Sequence, residues 1–192
     1  MYNLEFYVEF VSGKLSELRF IHSLRTAEMS RELALKHGYD PEKAYLAGIL
    51  HDISKEEGEK ELRRLAFLKQ NQNGLDPVER EERKLWHAPA GAAYIRETLG
   101  INDEEILSAV RFHTVGRAGM TKLEKIIYLG DLVEHDRNYP DVEKYRQYAL
   151  DDLNNGMYEA LKWALTDNVT RNKRIALNTY EAYNYYLKKM KG

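Results

Sequence analysis

The stretch Ala47-Gly48-Ile49-Leu50-His51-Asp52-Ile53-Ser54-Lys55 decides how this chain is to be read. Small and aliphatic residues carry the backbone to a histidine and an aspartate placed side by side. A carboxylate among such neighbours is expensive to bury unless a partner or a metal compensates it. Just upstream, Asp40-Pro41 combines a helix N-cap with proline at the first helical position. Ala44, Ala47 and His51 then fall on one stripe of a helix that stops at the His51-Asp52 pair. A second pair, His135-Asp136, sits in the polar run Glu134-His135-Asp136-Arg137-Asn138 and reads as a solvated helix end. Asp131 and His135 are spaced to share a helical face, so His135 is placed as a neighbour of a site at Asp131, not as a ligand.

Outward from that stretch the pattern is helical nearly throughout. Leu18, His22, Arg25, Met29 and Leu33 fall on one face of a helix from Ser16 to His37, stopped by Gly38. Ser54-x-x-Glu57 has the form of a capping box opening a charged helix to about Gln70. Asn73-Gly74 reads as a turn, and Asp76-Pro77 as another helix start. Further helices are expected from Pro89 to Gly100, from Asn102 to His113, and from Thr121, whose capping box with Glu124 opens a helix bearing Asp131. A long tyrosine-bearing region follows Asp141, with a break expected near Asn154-Asn155-Gly156 and a last helix from Thr179 to Lys189. No alternating run of β-branched residues predicts a strand, so the expected class is all-α.

The 192 residues suit one domain spanning 1–192. A net charge of -2 lends no support to a nucleic-acid partner. The absence of cysteine excludes disulfides, zinc-thiolate sites and iron–sulfur clusters. A metal here is held by nitrogen and oxygen, which suits iron, manganese, cobalt, nickel or zinc. No apolar run approaches the length of a membrane span, and the N-terminus has no basic region before its apolar residues. A cytoplasmic location is the expectation, with no membrane partner.

His22, His87, His113 and Asp131 are further candidate ligands. His22 lies mid-helix, where a histidine is ordinarily a core residue with a satisfied hydrogen bond. His87 and His113 lie where predicted helices meet loops. Asp131 shares its inward face with Leu123 and Ile127, an expensive setting for an unpaired carboxylate. One metal accounts for several of these placements together. Arg19, Lys55, Arg117, Arg137, Arg171, Lys173 and Arg174 are available to balance phosphate charge. Thr114, Gly116 and Gly119 suit a loop offering backbone N–H groups to phosphate. Trp86 and the fourteen tyrosines read as core and groove filler, and no base-stacking residue is assigned.

The blocks Arg19-Phe20-Ile21-His22-Ser23, Leu50 to Lys55, Leu85-Trp86-His87-Ala88-Pro89, Arg111-Phe112-His113-Thr114, Leu123 to Asp131 and Glu134-x-x-Arg137 occur in an order that resembles the HD-domain phosphohydrolases. Within them the chain is similar to the bacterial YqeK-like group of symmetrical dinucleoside tetraphosphatases. The resemblance implies an HD-domain helical bundle with a metal core of His22, His51, Asp52 and Asp131, most readily around iron. His87 and His113 would line the phosphate pocket or hold a second metal, with Asp52 as the bridge. It implies Asp52, Lys55 and Asp131 as catalytic groups. Nucleotide contacts would come from Arg19, His22, His87, His113, Thr114, Asp131, Arg137 and the segment Thr170, Arg171, Asn172, Lys173, Arg174, Ile175. The implied reaction is hydrolysis of diadenosine tetraphosphate to two ADP by metal-activated water. Another HD-domain nucleotidase or phosphodiesterase, and a metal-dependent nucleotide sensor without turnover, stay open beside it, as does assembly as a homodimer. Two departures stand out: Gly130 where the family usually has alanine, and His135 where it has proline.

Overall fold

A computed structural model describes residues 2–69 and 74–191. It is helical, with no strand among the described residues. Helix α1 (Leu4–Lys14) leads into the long α2 (Glu17–Lys36), which ends where Gly38 takes a φ of +61°. Helix α3 (Pro41–Leu50) starts on the Asp40 cap, whose carboxylate accepts from the N–H groups of Glu42 and Lys43. Then come α4 (Glu59–Ala66), the short α5 (Pro77–Glu81), a single 3₁₀ turn (Arg83–Leu85) and α6 (His87–Glu97). Helices α7 (Glu104–Phe112), α8 (Lys122–Val133), α9 (Val142–Asp151), α10 (Leu153–Thr170) and α11 (Leu177–Lys191) complete the order.

A core running from Val11 to Tyr186 in sequence takes Met29 and Leu33 from α2, Leu46, Ile49 and Leu50 from α3, and Leu123, Ile126 and Ile127 from α8. Helix α2 is clamped between α3 and α8, and two glycines set the distances. A Cβ on Gly48 would lie 2.7 Å from Ala27 Cα, and one on Gly130 would lie 2.5 Å from Ser30 Oγ. Neither place tolerates a methyl group without movement. The Gly130 departure is therefore matched within the chain by the bulk of Ser30. This close approach draws His51 at the end of α3 and Asp131 on α8 toward His22 on α2.

Several expectations are corrected. Leu18 does not join the buried face of α2: it is 84% exposed, because the first turn of the helix overhangs a cleft while Met29 and Leu33 enter the core. Ser54 does not cap a helix. It is buried in a run of turns, and α4 starts later, on Gly58. The carboxylate that the capping pattern needed is used elsewhere, as is its neighbour. Glu57 pairs with Lys14, and Glu56 accepts from Ser16 N and Oγ at 2.7 and 2.6 Å. Gly74 lies in a turn as expected, while Asn73 falls outside the described residues. The break after α9 comes at Asp152, whose side chain caps α10; Gly156 sits inside α10, where its Cβ would meet Ala149 Cα at 3.0 Å.

Candidate metal centre

Three histidines present the same atom to one point. His51 closes α3, His113 closes α7 and His87 opens α6. Each directs Nδ1 at the carbonyl three residues earlier: His51 at Gly48 O at 2.7 Å, His87 at Lys84 O at 2.9 Å and His113 at Val110 O at 2.7 Å. A carbonyl can only accept, so the proton resides on Nδ1 and the Nε2 lone pair points inward. Second-sphere bonds of this kind are how metal-binding imidazoles are oriented. His22 arrives differently, from the middle of α2. Its Nδ1 donates to Glu134 Oε1 at 3.2 Å and its Nε2 lies 3.0 Å from Asp131 Oδ1.

Asp52 stands between two sets of histidines. Its Oδ2 is 3.6 Å from His51 Nε2 and 4.0 Å from His22 Nε2. Its Oδ1 is 3.3 Å from His87 Nε2 and 3.5 Å from His113 Nε2. Two ligands of one ion, each at about 2.1 Å, stand roughly 3 to 4.2 Å apart, depending on the angle between them. All of these separations fall in that range, as does the 3.9 Å from His51 Nε2 to Asp131 Oδ1. His51 Nε2 and Asp52 Oδ1 are buried without a hydrogen-bond partner. Nitrogen and oxygen donors in this arrangement fit a divalent metal: the ligand atoms of His22, His51 and Asp131 lie within 4.8 Å of one another, as do those of His51, Asp52 and His113.

The family model of the HD domain matches residues 19–136, which takes in every one of these side chains. The chain belongs to the HD-domain family. It is 40% identical over 184 residues to the "Bis(5'-nucleosyl)-tetraphosphatase, symmetrical" of Halalkalibacterium halodurans, covering 96% of this chain and 97% of that one. The protein of the same name from Bacillus subtilis is 36% identical over 176 residues, covering 91% and 92%. A crystal structure described as a predicted HD superfamily hydrolase involved in NAD metabolism, from Clostridium acetobutylicum, superposes with a TM-score of 0.90 at 30% identity, covering 98% of this chain and 99% of that one.

Charge in the HD centre is arranged for cation binding. Burial pulls the His51 imidazole down to about 4, outweighing the pull of Asp52 and Asp131. Burial and the Lys55 ammonium hold His87 well below its ordinary value. Both rings thus keep their lone pairs at neutral pH. Burial would lift Asp52, but the surrounding imidazoles and Lys55 hold its carboxyl well below the usual range. His22 goes the other way: burial lowers it, yet hydrogen bonds to Asp131 and Glu134 push it up to about 9.

Cationic side chains rim the centre. Arg19 Nη1 donates to Asp52 Oδ2 at 2.7 Å, and Arg137 Nη2 to Asp131 Oδ1 at 2.8 Å. Lys55 Nζ lies 2.9 Å from His87 Nε2 and 3.6 Å from Asp52 Oδ1. Arg117 is not among them: its Nη2 is committed to buried Glu124 at 3.0 Å. Gly116 spends its N–H on Phe112 O, closing α7. Trp86 is structural, donating Nε1 to Glu79 O at 2.9 Å.

Two hollows open from the centre. One, of about 550 Å³, runs past His22 and Arg19 toward Leu18. The other, of about 290 Å³, runs past His113, Thr114 and Asp131 toward Trp163. The segment Thr170–Ile175 lines neither. Arg171 and Lys173 pair with Asp167 at 2.8 and 3.3 Å, and Arg174 with Glu81. His135 turns away to Glu32 at 3.4 Å. Sequence reasoning gave Glu134 no role of its own, although the Glu134-x-x-Arg137 spacing was its signal.

Proposed function

We propose that this protein hydrolyses diadenosine tetraphosphate symmetrically, releasing two molecules of ADP in the cytoplasm. The observation that carries the reading is the cluster of His22, His51 and Asp131 beside that of His51, Asp52 and His113, with the Arg19 and Arg137 guanidiniums bonded to its carboxylates. The names of the similar proteins supply the substrate class. A divalent cation, iron in this reading, supplies Lewis acidity toward water and phosphoryl oxygens.

The chain's own side chains do the rest. His22, His51 and Asp131 form one donor set and His87 with His113 the other, and the Asp52 carboxylate serves both. Arg19 and Arg137 hold Asp52 and Asp131, and both guanidiniums are open enough to exchange a carboxylate oxygen for a phosphate oxygen. Tetraphosphate brings several negative charges, so these contacts position the chain of phosphates as well as neutralise it. Lys55 offers its ammonium to the departing phosphate. Thr114, which lines the hollow at Trp163, is read as a contact to the nucleotide.

Protein loaded with iron or manganese and given diadenosine tetraphosphate is expected to yield ADP as the sole product. AMP together with ATP would overturn the symmetrical assignment. Asp52→Ala should abolish turnover, and undiminished release by that variant would assign the activity to a contaminant.

A further inference from the structure

The hollow that runs toward Leu18 extends beyond the phosphate contacts of Arg19 and Arg137. Its inner wall is His22, with Arg19 and Arg137 beside it, so it opens directly from the metal centre. The second hollow meets the centre at His113 and Asp131. Arg137 and Tyr139 line both, which makes the segment from 137 to 139 the partition between them. A phosphate chain lying across the centre therefore has an exit on either side.

A dinucleoside tetraphosphate cut at its midpoint places a nucleoside on each side of the reacting phosphorus. One hollow serves one nucleoside, and the symmetry of the reaction calls for two. The Leu18 hollow is lined mostly by polar groups, Ser16, Glu56, Glu134, Asp136 and Asn138 beside the two guanidiniums and His22, with Leu18 and Tyr139 as its apolar surface. Leu18, 84% exposed on the first turn of α2, lines the hollow together with Tyr139. Both offer apolar surface to a planar base, while the guanidiniums lie at the inner end where the phosphates pass. The wall is preformed: Ser16 bonds Glu56 through both N and Oγ.

We propose that this hollow is the second nucleoside diphosphate subsite, with Leu18 as its apolar platform, while the hollow at Trp163 takes the other ADP arm. The inference rests on the proposed function and adds the location of the second arm.

Calorimetric titration of the metal-loaded protein with ADP tests it without turnover. Wild-type protein is expected to bind two ADP per chain. Leu18→Glu should weaken one of them by roughly tenfold or more, since it replaces an apolar contact with a charge. Leu18→Met should retain both. A single ADP per chain in wild type, or two unchanged sites in Leu18→Glu, overturns the subsite. Neither result bears on whether diadenosine tetraphosphate is cleaved symmetrically, which product analysis of the wild type decides separately. In turnover, Leu18→Glu should lose kcat/KM on diadenosine tetraphosphate while keeping it on adenosine 5′-tetraphosphate, which has one nucleoside arm. An equal loss on both substrates would place the effect at the centre itself and overturn the assignment.

Discussion

The Nε2 atoms of His87 and His113 face each other at 3.2 Å, while both rings spend their Nδ1 protons on backbone carbonyls. The Lys55 ammonium, 2.9 Å from His87 Nε2, supplies positive charge to one of these two lone pairs, and a cation between the rings would serve both. The Asp52 Oδ1 atom, close to both, completes the argument for positive charge there. Metal analysis of protein reconstituted with excess manganese should find about two ions per chain, with one lost in His113→Ala. Retention of both ions by that variant would remove the second position.

Glu134 orients His22. Its carboxylate is buried, accepts from His22 Nδ1 at 3.2 Å, and also accepts from Asp136 N at 2.6 Å. Removing such an outer partner typically weakens metal binding by roughly 10–100-fold. Glu134→Ala should show that loss, and Glu134→Gln should recover part of it, because an amide oxygen still accepts from the ring. The readout is metal affinity by competition with a chelating dye. Equal affinity in all three proteins would deny Glu134 the role.

The raised pKa of His22 has a measurable sign. Its folded value of about 9 exceeds the ordinary 6.5, so the protonated ring stabilises the metal-free protein most below pH 6.5. That stabilisation fades as pH rises through 9. A cation at Nε2 needs the neutral ring, so binding near pH 7.5 should expel about one proton from this residue. Titrations in buffers of different ionisation enthalpy measure the proton count. Affinity should climb with pH up to about 9, and a flat profile over that span contradicts the assignment.

The Gly130–Ser30 contact predicts a conditional substitution. Gly130→Ala alone forces a methyl group against Ser30 Oγ, at an expected loss of about 1–3 kcal/mol in denaturant unfolding. Adding Ser30→Ala should restore most of it. If the double variant is no more stable than the single, the contact does not account for the glycine.

Much of the fold, and the histidines and aspartates that the structure brings together, could be named from residue order because the caps and the expense of buried polar groups are local chemistry. Asp40 and Thr121 cap their helices with side chains two to three residues from their partners, and such bonds leave a sequence signature. Asp131 on the apolar face of α8 was conspicuous for its expense. The Ser54 pattern misled because Glu56 and Glu57 are claimed by the α1–α2 junction about forty residues earlier, a competition no local window contains. Glu134 and His22 lie 112 positions apart and meet only when α8 lies on α2. Leu18 had the right periodicity for a buried face, but periodicity does not report where a neighbouring helix ends.

The three Nδ1–carbonyl bonds carry a further consequence. Each imidazole is anchored to the backbone turn that bears it, at the ends of α3 and α7 and on the 3₁₀ turn before α6. For a cation held by these rings, fraying of any of these turns would withdraw a ligand, so ion retention and the winding of three separate termini would become one cooperative quantity. Amide hydrogen exchange at residues 48–51, 84–87 and 110–113 should slow together on adding metal. The chain thus carries its own gauge of integrity, in which a loosened helix end silences the chemistry before the core opens.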